Sequence, residues 1–519
     1  MEIEGVCCDT SKLDNCSEKI LKRIKEINCS VYNEDSKLIR EPKINLNSPQ
    51  QVLDWFGKNL ENYKITSSNK ETLAIERVKF LNCNNKKVVD FIDSVSNVRK
   101  LTKLNSSYIK IILKSNRTNN LKFQFSCLWN QTGTTTGRLS STKPNFQSLP
   151  RNSTKLTKLN NIDFDDDDNF NNINNNNNNN NGEKNLYTLL NNDNDGDDDE
   201  DDDNIDELNS YNNNNNIINI RNSFISREGY SLVALDYNQI ELRIMAHYSK
   251  DKHLIEYFES GKDVINMMAS RLIDGVDPNN VKKEIRDKVK RIVYGILYGI
   301  QKNSLHKLLG VSLDEAQEHI NNFNLKFEEV SSFIKINSQI KNGKILTIGN
   351  RIRRFQDHSS IIPSTSSSSS LSSSPIQAIN SIMQGSSADI IKMAMINIMN
   401  ELLLPLSKLR EFIGVNSKGD VVGTPRFVLQ VHDELVFEIP DQLLSDESIR
   451  LDLLIKYQME RIGNHFNLLV PLVTSLSIGK KYGSLSRVMV DPKNIDLNGK
   501  MNNFKSILNS FTDYNLKIK

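Results

Sequence analysis

The chain has 519 residues, a net charge of only +2 and 37% hydrophobic residues. This length is too great for one ordinary hydrophobic core, so we expect roughly two to four subdomains. No apolar run approaches the ~20 residues that a membrane span needs. The N-terminal sequence MEIEGVCCDTSKLD has no hydrophobic signal core. These features argue against a membrane protein.

The small net charge hides a segregation of charge along the chain. Residues 152–216 contain 17 acidic and 3 basic residues, and the remainder contains 63 basic and 47 acidic residues, a net charge of +16. A basic body favours a polyanionic partner, with an ordinary basic protein as the alternative. The six cysteines all precede residue 128 and form no CxxC pair. We therefore expect free thiols in a reducing compartment.

The first 128 residues are mostly helical by pattern. SPQQVLDWFGKNLENY, in which Ser48 precedes the apolar periodicity, and KKVVDFIDSVSNVRKL predict amphipathic helices. Residues 153–216 are runs of Asn and Asp, and residues 359–374 contain a serine tract. Neither segment can bury enough apolar surface to offset its ordering entropy, so both are predicted to be disordered insertions.

Later segments alternate between strand and helix patterns. The sequence predicts strand over 220–236, helices from 253 to about 339, and a strand–turn–strand unit over 426–440. LVPLVTSLSIG predicts another pair of strands near the end of the chain. This order indicates an α+β protein with a central antiparallel sheet.

Two aspartates each follow a short apolar strand: Asp236 in LVALDYNQIELR and Asp433 in LQVHDELVFEI. A carboxylate at a buried strand end is costly unless a cation meets it. Two of them could hold a pair of Mg²⁺ ions about 3.5–4 Å apart, which aligns an in-line phosphoryl displacement. His432 and Glu434 crowd Asp433 further. A capping or turn role is the alternative for each aspartate taken alone.

A third signature consists of Arg286, Lys290, Tyr294 and Tyr298, which steps of four keep on one helix face. The cations could grip a triphosphate, and the rings could stack on a sugar or base. The alternative is a solvated basic edge beside an aromatic stripe of the core.

Two further segments carry polar side chains in suggestive places. Glu241 has apolar neighbours, so it needs a hydrogen-bond partner, which Tyr298 could supply. In TGRLSSTKPNFQSLP, Arg138, Asn145 and Gln147 could donate to minor-groove acceptors. A plain loop is the alternative for this segment.

With these residues in place, the chain resembles the family A DNA polymerases, the group of the bacterial repair polymerase. TGRLSS, DYNQIELR, the helix from Arg286 to Gly299, QAINSIMQGSSADIIK and QVHDELVFE occur in the order of that family, over roughly residues 95–152 and 217–485. The resemblance implies a right-hand α+β fold with an antiparallel-sheet palm, helical fingers and a short helical thumb.

The resemblance also implies a division of the chain. It consists of an N-terminal tail (1–30), a helical thumb-like region (31–128), the first part of the palm (129–152), a disordered Asn/Asp-rich insertion (153–216), the palm with motif A (217–258), helical fingers with motif B (259–345), a loop with a serine-rich insertion (346–375), and the palm with motif C and a C-terminal tail (376–519).

Site roles follow from the same resemblance. Asp236, Asp433 and the backbone carbonyl of Tyr237 would bind two Mg²⁺ ions, which Mn²⁺ could replace, and Glu434 and Lys290 would join the aspartates in catalysis. The nucleotide-binding residues would be Arg286 and Lys290 on the triphosphate, Tyr294 against the sugar, Glu241 as a steric gate against a 2′-hydroxyl, Tyr298 holding that gate, and Gln239. The DNA contacts would come from Arg138, Asn145, Gln147, Asn380, Gln384, Gln430 and His432.

The expected function is DNA-directed DNA synthesis on primer–template DNA with dNTPs. IVYGILYG and the insertion after SLPRN resemble the theta and nu branch, so we expect a monomer that acts in repair or translesion synthesis without a proofreading exonuclease. The nucleus is the expected location, with the mitochondrion as the alternative. The alternatives in function are a non-catalytic polymerase-like DNA-binding protein, an organellar replicative polymerase, and a single-subunit RNA polymerase, against which Glu241 argues.

This sequence departs from the family pattern at several positions. Pro375 and Ile376 stand where the family usually has Glu-Arg before QAIN, which puts the grip on the template in doubt. Tyr482, in GKKYGSL, replaces a usual tryptophan. Neither change removes an expected metal ligand or triphosphate contact.

Overall fold

The structure is a computed structural model that describes residues 1, 5–33, 44–60, 63–118, 124–151, 153–156, 217–338, 344–355, 375–404, 423–445, 450–490, 499 and 501. Most of the first predicted insertion (157–216) and the serine tract (359–374) lie outside the described residues, as does most of the predicted C-terminal tail. No helix within the described ranges is long and apolar enough to cross a membrane.

Helices fill the described N-terminal part of the chain. They are α1 (Thr10–Asn33), α2 (Pro49–Asn59), α3 (Lys70–Asn82), α4 (Lys86–Lys103) and α5 (Lys110–Thr118), with a π-helical stretch (Leu104–Ile109) joining the last two. The two helices predicted here, α2 and α4, are confirmed. Ser48 caps α2 by accepting a hydrogen bond from the N–H of Gln51 (3.5 Å).

The prediction of a tail over residues 1–30 is wrong. Strand β1 (Val6–Cys8) pairs on its two sides with β2 (Gln124–Phe125) and β7 (Phe224–Ile225). Leu13, Ile20 and Ile27 are buried along one face of α1. Their spacing of seven residues keeps them on one side of the helix. This segment is therefore part of the N-terminal core.

Two short strand pairs flank the first insertion. Strand β3 (Leu128–Asn130) pairs with β4 (Ser140–Thr142), and β5 (Thr154–Lys155) pairs with β6 (Ile217–Ile218). Because β5 and β6 are antiparallel neighbours, the chain leaves and re-enters this part of the fold at one place. The insertion therefore requires no rearrangement of the strands around it.

A five-stranded antiparallel sheet forms the centre of the molecule. Its order is β11 (Arg426–Val431), β12 (Glu434–Pro440), β8 (Tyr230–Tyr237), β13 (Thr474–Gly479) and β14 (Ser486–Arg487). The predicted strand–turn–strand unit is confirmed as β11–β12. The strand expected over 220–236 is interrupted, since residues Ile220–Ser223 form a 3₁₀ turn. In LVPLVTSLSIG only the second half is a strand, and its partners are β8 and β14.

The two faces of this sheet pack against different cores. On β8, Val233 and Leu235 join the larger core, while Leu232 and Ala234 join the core of the N-terminal helices. Successive side chains of a strand point to opposite faces, which explains the alternation. Strand β8 is therefore buried on both sides, and the polar residues at its end stand out.

The remaining helices surround the larger core. They are α6 (Ile240–Ser249), α7 (Lys252–Glu259), α8 (Val264–Leu272), α9 (Lys283–Leu297), α10 (Lys302–Leu309), α11 (Leu313–Lys326), α12 (Glu328–Ser338), α13 (Pro375–Ile398, continued by a π-helical stretch Met399–Leu403), α14 (Asp441–Ser445), α15 (Leu451–Glu460) and α16 (Ile462–His465). The predicted helical region from 253 onward and the α+β class are confirmed.

A hairpin occupies the start of the region that we predicted as a loop over 346–375. Strand β9 (Lys344–Leu346) pairs with β10 (Ile352–Arg354), and Asn350 adopts φ 57° in the turn between them. The strands have only three residues each and together carry three basic residues, so their sequences show no clear alternation of apolar and polar residues. The loop prediction is therefore wrong for these residues.

Candidate active site

The two predicted metal-binding aspartates lie at the ends of neighbouring strands. Asp236 is near the end of β8, and it pairs with Glu434 on the neighbouring strand β12. Glu434 directly follows Asp433. The N–H of Tyr237 donates to the carbonyl of Asp433 (3.4 Å), which ties the two strand ends together. His432 adopts a left-handed φ of 52° in the tight turn. The sheet register therefore brings both aspartates to one place.

Arginines face both of these carboxylates. Arg151 Nη2 lies 3.1 Å from Asp236 Oδ2, and Arg138 Nη2 lies 3.8 Å from Asp433 Oδ1. Asp433 is only 5% exposed and also accepts a hydrogen bond from the hydroxyl of Ser387 (3.0 Å). Burying a carboxylate costs free energy unless cations or hydrogen-bond donors lie beside it. The burial of Asp433 therefore depends on the positions of Arg138 and Ser387.

Arg138 also contacts the predicted steric gate. Glu241 lies in the first turn of α6, is 3% exposed, and accepts a hydrogen bond from Arg138 Nη2 (2.8 Å). The hydroxyl of Tyr298 donates to the other oxygen of Glu241, so the hydrogen bond predicted from the sequence is present. The guanidinium of Arg138 therefore lies between Glu241 and Asp433.

The loop that carries Arg138 is held from the side of the β9–β10 hairpin. Arg351 donates to the carbonyl of Thr136 through both terminal nitrogens (3.1 Å each) and to Asp389 through Nε (3.0 Å). Gly137 has φ 84°, and a Cβ there would lie 1.9 Å from the guanidinium of Arg351. This close approach and the left-handed backbone together require glycine.

The predicted nucleotide-binding face belongs to α9. Arg286 Nη2 pairs with Asp263 (3.0 Å), at the start of α8, and Lys290 lies one turn further along α9. The rings of Tyr294 and Tyr298 are 6.4 Å apart, but Tyr298 follows the last residue of the helix instead of lying within it. Its backbone N–H donates to the carbonyl of Tyr294 (3.0 Å), which directs its side chain toward Glu241.

These elements enclose a cleft. Its lining residues are Arg151, Asp236, Tyr237, Gln239, Ile240, Glu241, Tyr294, His432 and Asp433. Sequence reasoning singled out all of these except Ile240 and Arg151. Arg151 had one available signal, since it is a cation directly after SLP, where the first insertion begins. Its pairing with Asp236 depends on the fold and could not be read from the pattern.

The residues predicted to contact DNA fall into two groups. Gln147 donates to the side chain of Gln430 (3.0 Å), and Gln430 is only 4% exposed. Asn145 accepts from the hydroxyl of Ser141 (3.0 Å) and from the N–H of Gln147 (3.1 Å). These three side chains make contacts within the protein. By contrast, Asn380 and Gln384 lie half-buried on α13, and Asn380 Oδ1 has no hydrogen-bond partner among the described residues.

Asp236 and Asp433 offer a donor set that fits Mg²⁺. The described residues contain no group of three or more His, Cys, Asp or Glu side chains arranged for a metal. Mg²⁺ is commonly bound by one or two carboxylates, with waters and substrate phosphates as its other ligands. Two aspartates and the backbone of Tyr237 at one cleft match that pattern. The ring of Tyr237 points elsewhere, since its hydroxyl donates to the carbonyl of Met459 (2.8 Å).

Comparison with known proteins identifies the family of this chain. The family model described as DNA polymerase family A matches residues 10–165 and 201–484. Because this match spans most of the chain, the chain belongs to DNA polymerase family A. Its fold is similar to that of the POL domain of Pol1 from M. smegmatis, solved in complex with DNA primer-template and dNTP. The TM-score is 0.63 at 26% identity, over 92% of this chain and 67% of that one.

Curated relatives give the same result. DNA polymerase I of Chloroflexus aurantiacus is 27% identical over 496 residues, which are 94% of this chain and 42% of that protein. The thermostable DNA polymerase I of Thermus aquaticus is 27% identical over 495 residues, 93% of this chain and 46% of that protein. The chain therefore spans less than half the length of these relatives. The right-hand α+β fold expected from the sequence is confirmed.

Proposed function

We propose that this chain is a DNA-directed DNA polymerase that adds deoxynucleotides to the 3′ end of a primer. The observation that carries the proposal is the meeting of Asp236 and Asp433 with the Arg138–Glu241–Tyr298 cluster beside α9. Membership of family A supports it, and so does the primer-template and dNTP complex of the related POL domain.

Each of these side chains has a role in the reaction. Asp236, Asp433 and the backbone carbonyl of Tyr237 would hold two Mg²⁺ ions, which would supply charge neutralisation during phosphoryl transfer. Arg286 exchanges its partner Asp263 for a phosphate of the incoming nucleotide. The ammonium group of Lys290 binds the same triphosphate and gives a proton to the departing pyrophosphate.

Selection of the sugar depends on the carboxylate of Glu241. Arg138 and Tyr298 bind its two oxygens from different sides, so the side chain cannot swing away. It fills the space that a 2′-hydroxyl needs, and Tyr294 packs against the sugar from α9. This selects deoxynucleotides over ribonucleotides and argues against an RNA polymerase.

We also propose a role in repair or translesion synthesis, without proofreading, in the nucleus or alternatively the mitochondrion. The resemblance of IVYGILYG, and of the insertion after SLPRN, to the theta and nu branch supports this role. Extension of a mismatched 3′ end, and no shortening of a labelled primer when dNTPs are omitted, would support it. Shortening of that primer would refute the absence of proofreading.

A non-catalytic DNA-binding protein is the second candidate. It is favoured by one observation: Arg151 and Arg138 already lie beside Asp236 and Asp433, so the charge of these carboxylates has cationic partners within the protein. In a polymerase those contacts must change when metal and substrate bind. In a binding module they would persist.

Primer extension separates the two candidates. The wild-type chain should extend a primed template with Mg²⁺ and four dNTPs, and Asp433→Asn should lower the rate by about 10³-fold, since it removes several kcal/mol of charge stabilisation. Both proteins should bind primer–template with similar affinity. Binding without extension by the wild type would favour the non-catalytic candidate.

A further inference from the structure

Tyr482 lies in a short turn that is fixed against the centre of the fold. This turn (Tyr482–Ser484) separates β13 from β14, and Tyr482 is only 6% exposed. The side chain of Asn219 donates to the carbonyl of Gly483 (3.3 Å), and the N–H of Ser226 donates to the carbonyl of Lys480 (3.0 Å). The backbone is therefore held on both sides of Tyr482.

The hydroxyl of Tyr482 reaches the strand that follows Asp433. It donates to Glu434 Oε1 (2.6 Å), and Glu434 is the cross-strand partner of Asp236. Side chains of directly opposed residues in an antiparallel pair lie on the same face of the sheet. Burial and the neighbouring Glu434 raise the pKa of Tyr482 well above its ordinary value, so the hydroxyl keeps its proton and remains the donor.

Arg221 supports Tyr482 and reaches a second part of the cleft. Its guanidinium carbon lies 5.0 Å from the centroid of the Tyr482 ring, and Nη1 donates to the Tyr482 hydroxyl oxygen (3.3 Å). Its other nitrogens donate to the carbonyls of Leu149 (2.9 Å) and Pro150 (3.1 Å). The next residue is Arg151, which pairs with Asp236.

We propose that Tyr482 is a positioning residue for the metal site: its hydroxyl holds the carboxylate of Glu434 in place beside Asp236, with Arg221 fixing the ring. The inference rests on the proposed polymerase function and extends it to a residue outside the cleft lining. Without this hydroxyl, the carboxylate of Glu434 loses its fixed direction. Metal binding then weakens, because groups that orient a metal's surroundings typically contribute 10- to 100-fold in affinity.

Tyr482→Phe tests the inference, because it removes one hydroxyl and keeps the buried ring. Tyr63→Phe is the matched control: Tyr63 also donates to a glutamate, Glu76, among the N-terminal helices. Free Mn²⁺ is measured by electron paramagnetic resonance in the presence of the full chain, a primer–template with a 3′-deoxy end, and the next dNTP. The affinity for Mn²⁺ should fall about tenfold in Tyr482→Phe and stay unchanged in Tyr63→Phe.

A double-mutant cycle shows whether Tyr482 acts through Glu434. In a Glu434→Gln background, Tyr482→Phe should change Mn²⁺ affinity by less than about twofold, because the group that it positions is already altered. Multiplicative losses, or an unchanged affinity in a folded Tyr482→Phe protein, would overturn the inference. A wild-type chain that cannot extend a primer would instead refute the proposed function itself.

Discussion

Two parts of this molecule use arginine to meet a buried carboxylate, and they do so differently. Between α3 and α4, Arg77 binds both oxygens of Asp93 (2.6 and 3.2 Å), and Asp93 is 5% exposed. In the cleft, one nitrogen of Arg138 lies near two carboxylates, those of Glu241 (2.8 Å) and Asp433 (3.8 Å). The first contact is a closed two-point pair, whereas the second is shared.

The difference shows what each contact stabilises. A bidentate pair matches the guanidinium fork to one carboxylate, and it fixes two helices against each other. The guanidinium of Arg138 is shared between two acids, and both acids line a cleft that a ligand can enter. Burial alone therefore does not distinguish the carboxylate between the helices from those in the cleft, but the way in which the charge is compensated does.

The strongest test of this distinction removes the arginine of the closed pair. Arg77→Ala should lower the free energy of unfolding by about 3 kcal/mol, because Asp93 is left buried without its partner. Burial already raises the pKa of Asp93, and Arg77 opposes that rise. Without Arg77 the folded-state pKa rises further, so the loss should be largest at neutral pH and should shrink as protonation neutralises Asp93.

Urea unfolding at neutral and mildly acidic pH measures this effect, with primer extension as the second readout. The extension rate per folded molecule should remain that of the wild type, since the pair lies among the N-terminal helices. An equal loss of extension in the folded variant would show that the two regions are not separable.

A second test removes Glu241, one of the two acids that share the guanidinium of Arg138. Glu241→Ala should raise ribonucleotide incorporation relative to deoxynucleotide incorporation by about 30-fold, or roughly 2 kcal/mol, because space opens for a 2′-hydroxyl. Its stability cost should be smaller than that of Arg77→Ala, since Arg138 retains Asp433 as a neighbour. Competition between matched nucleotide pairs in single-nucleotide extension gives the ratio.

Glu241→Gln is the control for this variant, because it removes the charge and keeps the bulk of the side chain. It should still discriminate against ribonucleotides. Equal discrimination by the wild type and Glu241→Ala would show that Glu241 is not the gate.

Much of the site could be predicted from the sequence because its signals are local. A buried strand that ends in a carboxylate is visible in LVALDYNQ and again in LQVHDEL, and the turn in the second motif fixes the hairpin. The four-residue spacing from Arg286 predicts the face of α9. The contact between Tyr298 and Glu241 could be predicted because a glutamate with apolar neighbours needs a hydrogen-bond partner.

What the sequence could not give depends on contacts between distant segments. Arg151 pairs with Asp236, and Gln147 with Gln430, only after the sheet has formed. The prediction of an N-terminal tail fails for a different reason. Leu13, Ile20 and Ile27 have the spacing of a helix face, but they are few and lie among many charged residues. Such a face becomes convincing only when the core that it covers is known.

The test with the smallest expected effect keeps the side chains of Arg138, Glu241 and Asp433 and changes the backbone of the loop that carries Arg138. In Gly137→Ala the new methyl group would overlap the guanidinium of Arg351, which also binds Thr136 and Asp389. We expect Arg138 to shift, with about a fivefold loss in extension rate, or roughly 1 kcal/mol, and a smaller loss of ribonucleotide discrimination.

Gly229→Ala provides the control, because Gly229 has a similar φ of 77° but no atom within 4 Å of an added Cβ. Both variants should lose about 1 kcal/mol of stability from left-handed backbone strain. Only Gly137→Ala should also slow primer extension, because only at Gly137 does the added methyl group meet Arg351, the arginine that holds the loop. Equal extension rates for Gly137→Ala and Gly229→Ala would mean that a displaced Arg138 still functions. The guanidinium of Arg138 would then contribute its charge to the cleft without fixing the positions of Glu241 and Asp433.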